Sequence, residues 1–153
     1  MEIDSQAPIK GSAQTEIEAP SELVWDVLTT FAEWPRWNPD ISELSMEGTL
    51  AQGTVFRWKS GPGTITSTLQ VVEAPHEVAW TGKALGLRAI HVYRLRPLDG
   101  GTSVSTEESW DGWVARIFRR RMQRTLNKAM EAGLESLKAE AENQARGGPP
   151  SRR

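Results

Sequence analysis

Cysteine is absent from the 153-residue chain, which excludes disulfides, thiolate metal sites and a cysteine nucleophile. Histidine is nearly as scarce. His76 and His91 are the only two, too few for an ordinary zinc site unless carboxylates supply most of the ligands, and no metal or other cofactor is expected. Long hydrophobic runs are missing as well. Nothing approaches the ~20 consecutive apolar residues that span a bilayer, and Met1 to Lys10 lacks the apolar core of a signal peptide. Stable membrane insertion is therefore not expected, and a cytoplasmic protein is. Nor does one sign of charge dominate. The formal net charge of -2 offers no general attraction for nucleic acid or an anionic membrane surface, and the arginines between Arg116 and Arg124, preceded by Glu107, Glu108 and Asp111, read as a solvated helix face.

Tyrosine and phenylalanine are rare, with one and three residues, whereas tryptophan occurs seven times. Most of these indoles are expected to fill the core, although indole is also a good wall for a flat apolar ligand.

The clearest periodic stretch is the last. From Gly112 to about Asn143 the chain reads as a helix, with Leu126, Met130, Leu134 and Leu137 recurring at steps of three and four as a buried stripe does. At 100° per residue, Trp113, Val114, Ile117 and Phe118 point the other way. Either the helix bends or starts afresh near Arg119 to Arg121, or Arg119 and Gln123 look into a cavity that the helix only partly fills.

Upstream, Gln14 to Ala19 reads as a strand. Pro20 and Ser21 then open a helix carrying Leu23, Val24, Val27, Leu28 and Phe31, with Ser21 as its cap, and Trp34 to Asp40 forms a proline-rich turn. Short strand signals follow at Ile41 to Glu47, Thr54 to Lys59, Thr64 to Glu73, Glu77 to Thr81, Leu87 to Leu95 and Thr102 to Trp110. Asp99-Gly100-Gly101 is a hairpin turn, because glycine accepts the positive φ it requires. Short strands joined by tight turns favour an antiparallel sheet. The expected fold is α+β: a curved antiparallel sheet of six to seven strands around a long C-terminal helix, with two short helices after the first strand. Residues 1–11 are expected to form an arm, 12–143 a single domain and 144–153 a disordered tail.

Period-two alternation turns Leu87, Ala89, His91, Tyr93 and Leu95 inward on one strand and Val104, Thr106, Glu108 and Trp110 on the next. Phe56, Trp58, Val78 and Trp80 face in by the same rule. An interior carboxylate needs a partner or a proton, and for Glu108 the candidates are His91, Tyr93 and Arg119. The pair is a structural contact, or it is the polar anchor of an apolar pocket able to move a proton near neutral pH.

Three stretches carry a family resemblance: Ile17-Glu18-Ala19-Pro20-Ser21-Glu22-Leu23-Val24-Trp25-Asp26-Val27-Leu28, Phe31-Ala32-Glu33-Trp34-Pro35-Arg36-Trp37-Asn38-Pro39, and Tyr93-Arg94-Leu95 leading to Pro97-Leu98-Asp99-Gly100-Gly101-Thr102. With the order of elements, they make the chain similar to the START-like, helix-grip (SRPBCC) superfamily, in its bacterial polyketide cyclase/dehydrase-type branch. The resemblance implies a ligand pocket between sheet and C-terminal helix, lined by Trp58, Leu69, Trp80, His91, Tyr93, Thr106, Glu108, Phe118, Arg119 and Met122. It implies no shared catalytic motif, since the scaffold serves carriers, cyclases, lipid-transfer domains and chaperone partners alike.

The expected function is binding of a hydrophobic small molecule (a lipid, polyketide or aromatic metabolite) as carrier or sensor. The alternative is a polyketide cyclase or dehydratase with Glu108 and His91 as acid and base. A third is an interaction module of the chaperone-partner type, marked by an exposed apolar patch around Trp34, Trp37, Leu85 or Leu87.

Overall fold

The computed structural model describes residues 1–149. Its chain order is β1 (Ile9–Ile17), α1 (Ser21–Thr29), a 3-10 turn (Phe31–Glu33), α2 (Trp34–Trp37), β2 (Ile41–Glu47), β3 (Val55–Ser60), β4 (Gly63–Glu73), β5 (Glu77–Ala84), β6 (Leu87–Leu98), β7 (Gly101–Asp111), α3 (Trp113–Ile117) and α4 (Arg119–Ala145). The strands form one seven-stranded sheet in the order β1-β7-β6-β5-β4-β3-β2, every neighbouring pair antiparallel. This is the expected helix-grip architecture. Hairpins link β2 through β7, while α1 and α2 carry the chain from the β1 edge to the β2 edge.

The inner face alternates as the side chains dictate. Phe56, Leu69, Val78, Trp80, Leu95 and Val104 are buried there with Leu134, Leu137 and Ala141 of α4. A second cluster joins Leu126 and Met130 of α4 to Ile9 and Ala115. Close approach of α4 to β1 depends on Gly11, where an added Cβ would stand 2.8 Å from Met130 Sδ. Across the outer face lies the N-terminal segment, with Asp4 donating its backbone N–H to Ser109 Oγ (3.1 Å) and Ala7 buried.

The Asp99-Gly100 turn behaves as expected, with Leu98 paired to Gly101 and Gly100 at φ +77°. Other details differ from the expectation. Strand β1 begins at Ile9 instead of Gln14, because pairing to Trp110 and its neighbours extends a stretch whose Lys10, Gly11 and Ser12 carry no strand signal of their own. Ser21 does not cap α1. It is buried, and its hydroxyl hydrogen-bonds Thr102 Oγ1 at 3.0 Å, tying α1 to β7. On β4 the register shifts between Leu69 and Val71, so Val72 packs against the core where even alternation would place Val71.

The C-terminal helix is in two pieces, α3 and α4, separated at Phe118 (φ -104°, ψ 34°). The break falls one residue before the Arg119 to Arg121 stretch and resolves the conflict between the two apolar faces. Helix α4 continues to Ala145, past the start of the expected tail, whose residues 150–153 lie outside the described residues. Among the described residues, no helix is long and apolar enough to cross a membrane.

Candidate functional site

Register places the polar interior residues side by side. Leu69 pairs with Trp80, Trp80 with His91, His91 with Glu108 and Glu108 with Gly11, so these residues form one row across four hydrogen-bonded strand junctions. Val78, Tyr93, Thr106 and Ala13 form the next row. Directly opposed side chains lie within contact distance on one face, and here that puts an imidazole, a phenol, a hydroxyl and a carboxylate together.

His91 is the centre of the group. Its Nδ1 stands 3.3 Å from Glu108 Oε2, and its Nε2 is 2.8 Å from Thr106 Oγ1. The other carboxylate oxygen, Oε1, accepts a 2.8 Å hydrogen bond from Trp110 Nε1. An ionised carboxylate only accepts, so the neutral imidazole that satisfies every contact carries its proton on Nδ1 and accepts the threonine hydroxyl at Nε2. The rings of Trp80 and Tyr93 flank it, with centroids 4.8 and 4.7 Å away. Burial lowers the His91 pKa from the ordinary histidine value, and the Glu108 charge opposes that shift. Burial raises the Tyr93 phenol well above its usual range, helped by the Glu108 charge. A hydrogen bond with Thr106 opposes the shift, and the phenol stays protonated.

Access distinguishes this group from the core around it. The side chains of His91 and Glu108 are each 13% exposed, whereas Thr106 is buried at 1%. A carboxylate, imidazole and hydroxyl in series resemble the parts of a nucleophilic triad. A secondary hydroxyl sealed this deeply is a poor attacker, so the series holds a proton and a ring orientation. Above Tyr93, α4 presents Gly133, whose added Cβ would stand 3.8 Å from the phenol hydroxyl, while Met130 covers the Gly11 end of the row. Ala129, four residues earlier on the same helix flank, is exposed.

Of the expected lining residues, the fold brings together Leu69, Trp80, His91, Tyr93, Thr106 and Glu108. Trp58 stands further along the inner face, donating its indole N–H to Ser67 Oγ at 3.1 Å and meeting Trp34 at 6.2 Å between centroids. Met122, like Leu87 and Trp110, packs against the cluster of Ile9, Ala115, Leu126 and Met130 beside the group. Two expected members are elsewhere. Phe118 is 50% exposed, because the helix break rotates it away, and Arg119 is exposed with its Nε donating to Pro8 O at 3.1 Å. Neither of them joins Glu108.

The second clamp on Glu108, Trp110, was recognisable as an inward residue but not as a partner. The signal was present, since two residues apart on a strand place both side chains on one face. The aromatic roof of Phe31 and Trp34 over Phe56 and Trp80, with centroids 4.7 to 6.3 Å apart, was not recognisable, because it joins segments far apart in sequence.

Two open grooves lie away from the group. One, about 330 Å³, is bordered by Asp4, Thr81, Lys83, Arg88, Ser109 and Asp111; the other, about 280 Å³, runs by Glu43, Ser45, Arg57, Lys59 and Thr64. Both borders mix charged side chains with apolar ones, Ala89 and Ile90 in the first and Leu44 and Trp58 in the second. No group of three or more His, Asp or Glu among the described residues stands close enough to hold a metal ion.

Comparison with known proteins agrees with the architecture. The family model described as polyketide cyclase / dehydrase and lipid transport matches residues 8–142. Among solved structures, the Zhui aromatase/cyclase of a Streptomyces species superposes with a TM-score of 0.80 at 20% identity, over 92% of this chain and 98% of that one. A hypothetical protein of Helicobacter pylori gives 0.80 at 18% identity, over 90% of each chain. A START superfamily protein of Mycobacterium smegmatis gives 0.75 at 12% identity, over 90% of this chain and 97% of that one. At these identities the likeness is one of fold. A sequence search against curated proteins gives no match.

Proposed function

The chain belongs to the polyketide cyclase / dehydrase and lipid transport family, and on that premise we propose that it binds a hydrophobic small molecule bearing a hydroxyl or carbonyl group. The molecule lies against the inner face of the sheet beneath α4, where a hydroxyl donates to Glu108 or a carbonyl accepts from Tyr93. The observation that carries this reading is the partly exposed, doubly clamped carboxylate among Trp80, His91, Tyr93 and Trp110. Apolar contact supplies affinity at roughly 25 cal/mol per Å² buried, and the fixed polar groups supply orientation. A flat polycyclic phenol or ketone fits both demands. The test is native mass spectrometry of freshly extracted protein, followed by titration with a hydroxyanthraquinone probe. A retained apolar ligand, and probe affinity that falls in Glu108→Gln, support the reading; an empty protein that ignores the probe contradicts it.

Acid–base catalysis is the second reading, favoured by the hydrogen-bonded series from Glu108 through His91 to Thr106. Here the Glu108 carboxylate removes the proton beside a ketone and Tyr93 donates a hydrogen bond to the enolate oxygen while the new carbon–carbon bond forms on a second carbonyl. The carboxylic acid returns its proton to the alkoxide formed on that carbonyl; in a second round the carboxylate takes the remaining proton between the two carbons and passes it to the hydroxyl, which leaves as water. Arg119, bonded to Pro8 O on the outside, has no part in it. Binding ranks first because both imidazole nitrogens are already engaged and the oxyanion position has a single donor, Tyr93. Turnover of a poly-ketone substrate by the parent, abolished in Glu108→Gln, would reverse the order.

A further inference from the structure

The most exposed large apolar side chains among the described residues are gathered at one end of the molecule. Leu85 at the β5–β6 turn is 89% exposed, and Trp113, Ile117 and Phe118 are 58%, 65% and 50% exposed. The turn and α3 are one rigid unit. Gly86, at φ +71°, passes so close under α3 that a Cβ would overlap Val114 and Trp113, and Val114 donates its backbone N–H to Gly86 O at 3.2 Å.

Charge is segregated to the same end. The segments Lys83 to Arg88 and Gly112 to Met130 hold eight of the eighteen cationic side chains and none of the twenty carboxylates, so a chain with a net charge of -2 carries a strongly positive end. Asp111 engages Arg88 and Arg116 at 2.9 and 3.0 Å. No ion pair holds Arg120, Arg121 or Arg124 among the described residues, and helical spacing sets these three on one outward side of α4.

We propose that this end docks on the surface of an anionic lipid bilayer, with Leu85, Trp113, Ile117 and Phe118 entering the headgroup–acyl boundary and the arginines resting on lipid phosphates. The inference goes beyond the ligand reading and stands without it. A bilayer is favoured over a protein partner by shape. These side chains protrude from a tight turn and a one-turn helix, and a fluid surface closes around a protrusion without needing a matching pocket. Indole prefers the membrane interface, arginine stems can lie along apolar surface while their heads stay at the phosphates, and each cation near an anionic surface adds attraction.

The experiment is vesicle co-sedimentation of the full chain with phosphatidylcholine alone and with phosphatidylcholine mixed with phosphatidylglycerol. Binding is expected only to the mixed vesicles and is expected to weaken with added salt. Trp113→Ala/Ile117→Ala and Arg120→Glu/Arg121→Glu should each lower partitioning by about tenfold or more, with melting temperatures unchanged because all four side chains are exposed. Glu108→Gln should bind vesicles like the parent, which separates this proposal from the ligand reading. Failure to sediment with mixed vesicles overturns the proposal. So does a patch buried in a dimer that Trp113→Ala dissolves, or one that binds a soluble acidic protein while vesicles stay unbound.

Discussion

The two halves of the sheet's inner face are both rich in indole but are closed very differently. Over β3 to β5, Phe31 and Trp34 descend onto Phe56 and Trp80, and all four are buried to 5% or less. Toward the start of β6, the wall of Leu87, His91, Glu108 and Trp110 stays partly exposed, and what faces Tyr93 across from it is Gly133. Aromatic content alone therefore makes no pocket. The half under Phe31 and Trp34 is solid core, and in the half under α4 the side chains of His91 and Glu108 keep partial exposure although Leu126 and Met130 pack beside them.

The largest expected effect falls on the closed half. Phe31→Ala or Trp34→Ala should cost about 3–5 kcal/mol in urea denaturation, since each leaves a void among packed rings, and Trp34 also loses its 2.8 Å hydrogen bond to Leu28 O. Next in size is a change confined to the open half: Glu108→Gln should weaken hydroxyanthraquinone binding by about tenfold to a hundredfold, the worth of a charged hydrogen bond, as read by tryptophan quenching. If Trp34→Ala instead abolished binding while leaving stability intact, the division between core and site would fail.

The open half should also carry a pH signature. Burial lowers the His91 pKa, so the folded state resists protonating it more than the unfolded chain does. The stability from neutral His91 is full above the ordinary histidine value and declines as pH falls from there toward the lowered one. Urea midpoints of the parent should drop over that window, and His91→Asn should flatten the drop. Smaller still, Gly133→Ala should raise stability by about 0.5–1 kcal/mol through helix propensity, because its Cβ would meet Tyr93 at an ordinary 3.8 Å. Smallest of all, Arg119→Ala should change stability and probe affinity by less than about 0.5 kcal/mol, since its bond to Pro8 O lies on the exposed outside.

Local pattern made much of this legible. Alternation along β6 and β7 placed His91, Tyr93, Thr106 and Glu108 on one face, and the Asp99-Gly100 turn fixed the register that sets His91 against Glu108. What stayed hidden depended on contacts between distant segments or on a single backbone angle. The break at Phe118 removes that residue and Arg119 from the site, and the register shift at Leu69 exchanges Val71 for Val72. The roof of Phe31 and Trp34 fills the space over Phe56 and Trp80, and no periodicity records how far a loop side chain reaches. The apolar end was visible in separate pieces, Leu85 as a candidate exposed loop residue and Trp113 as a residue out of phase with its helix, until Gly86 joined the turn to α3.

The central claim is that a ligand meets the protein at the His91–Glu108 pair. Its most direct test is NMR of the imidazole nuclei during titration with the hydroxyanthraquinone probe, because the chain has two histidines and His76, exposed at the β4–β5 turn, serves as the internal reference. The account predicts saturable shifts at His91, absent in Glu108→Gln, with His76 unmoved. Probe that binds the parent tightly while the His91 signals stay still would contradict it.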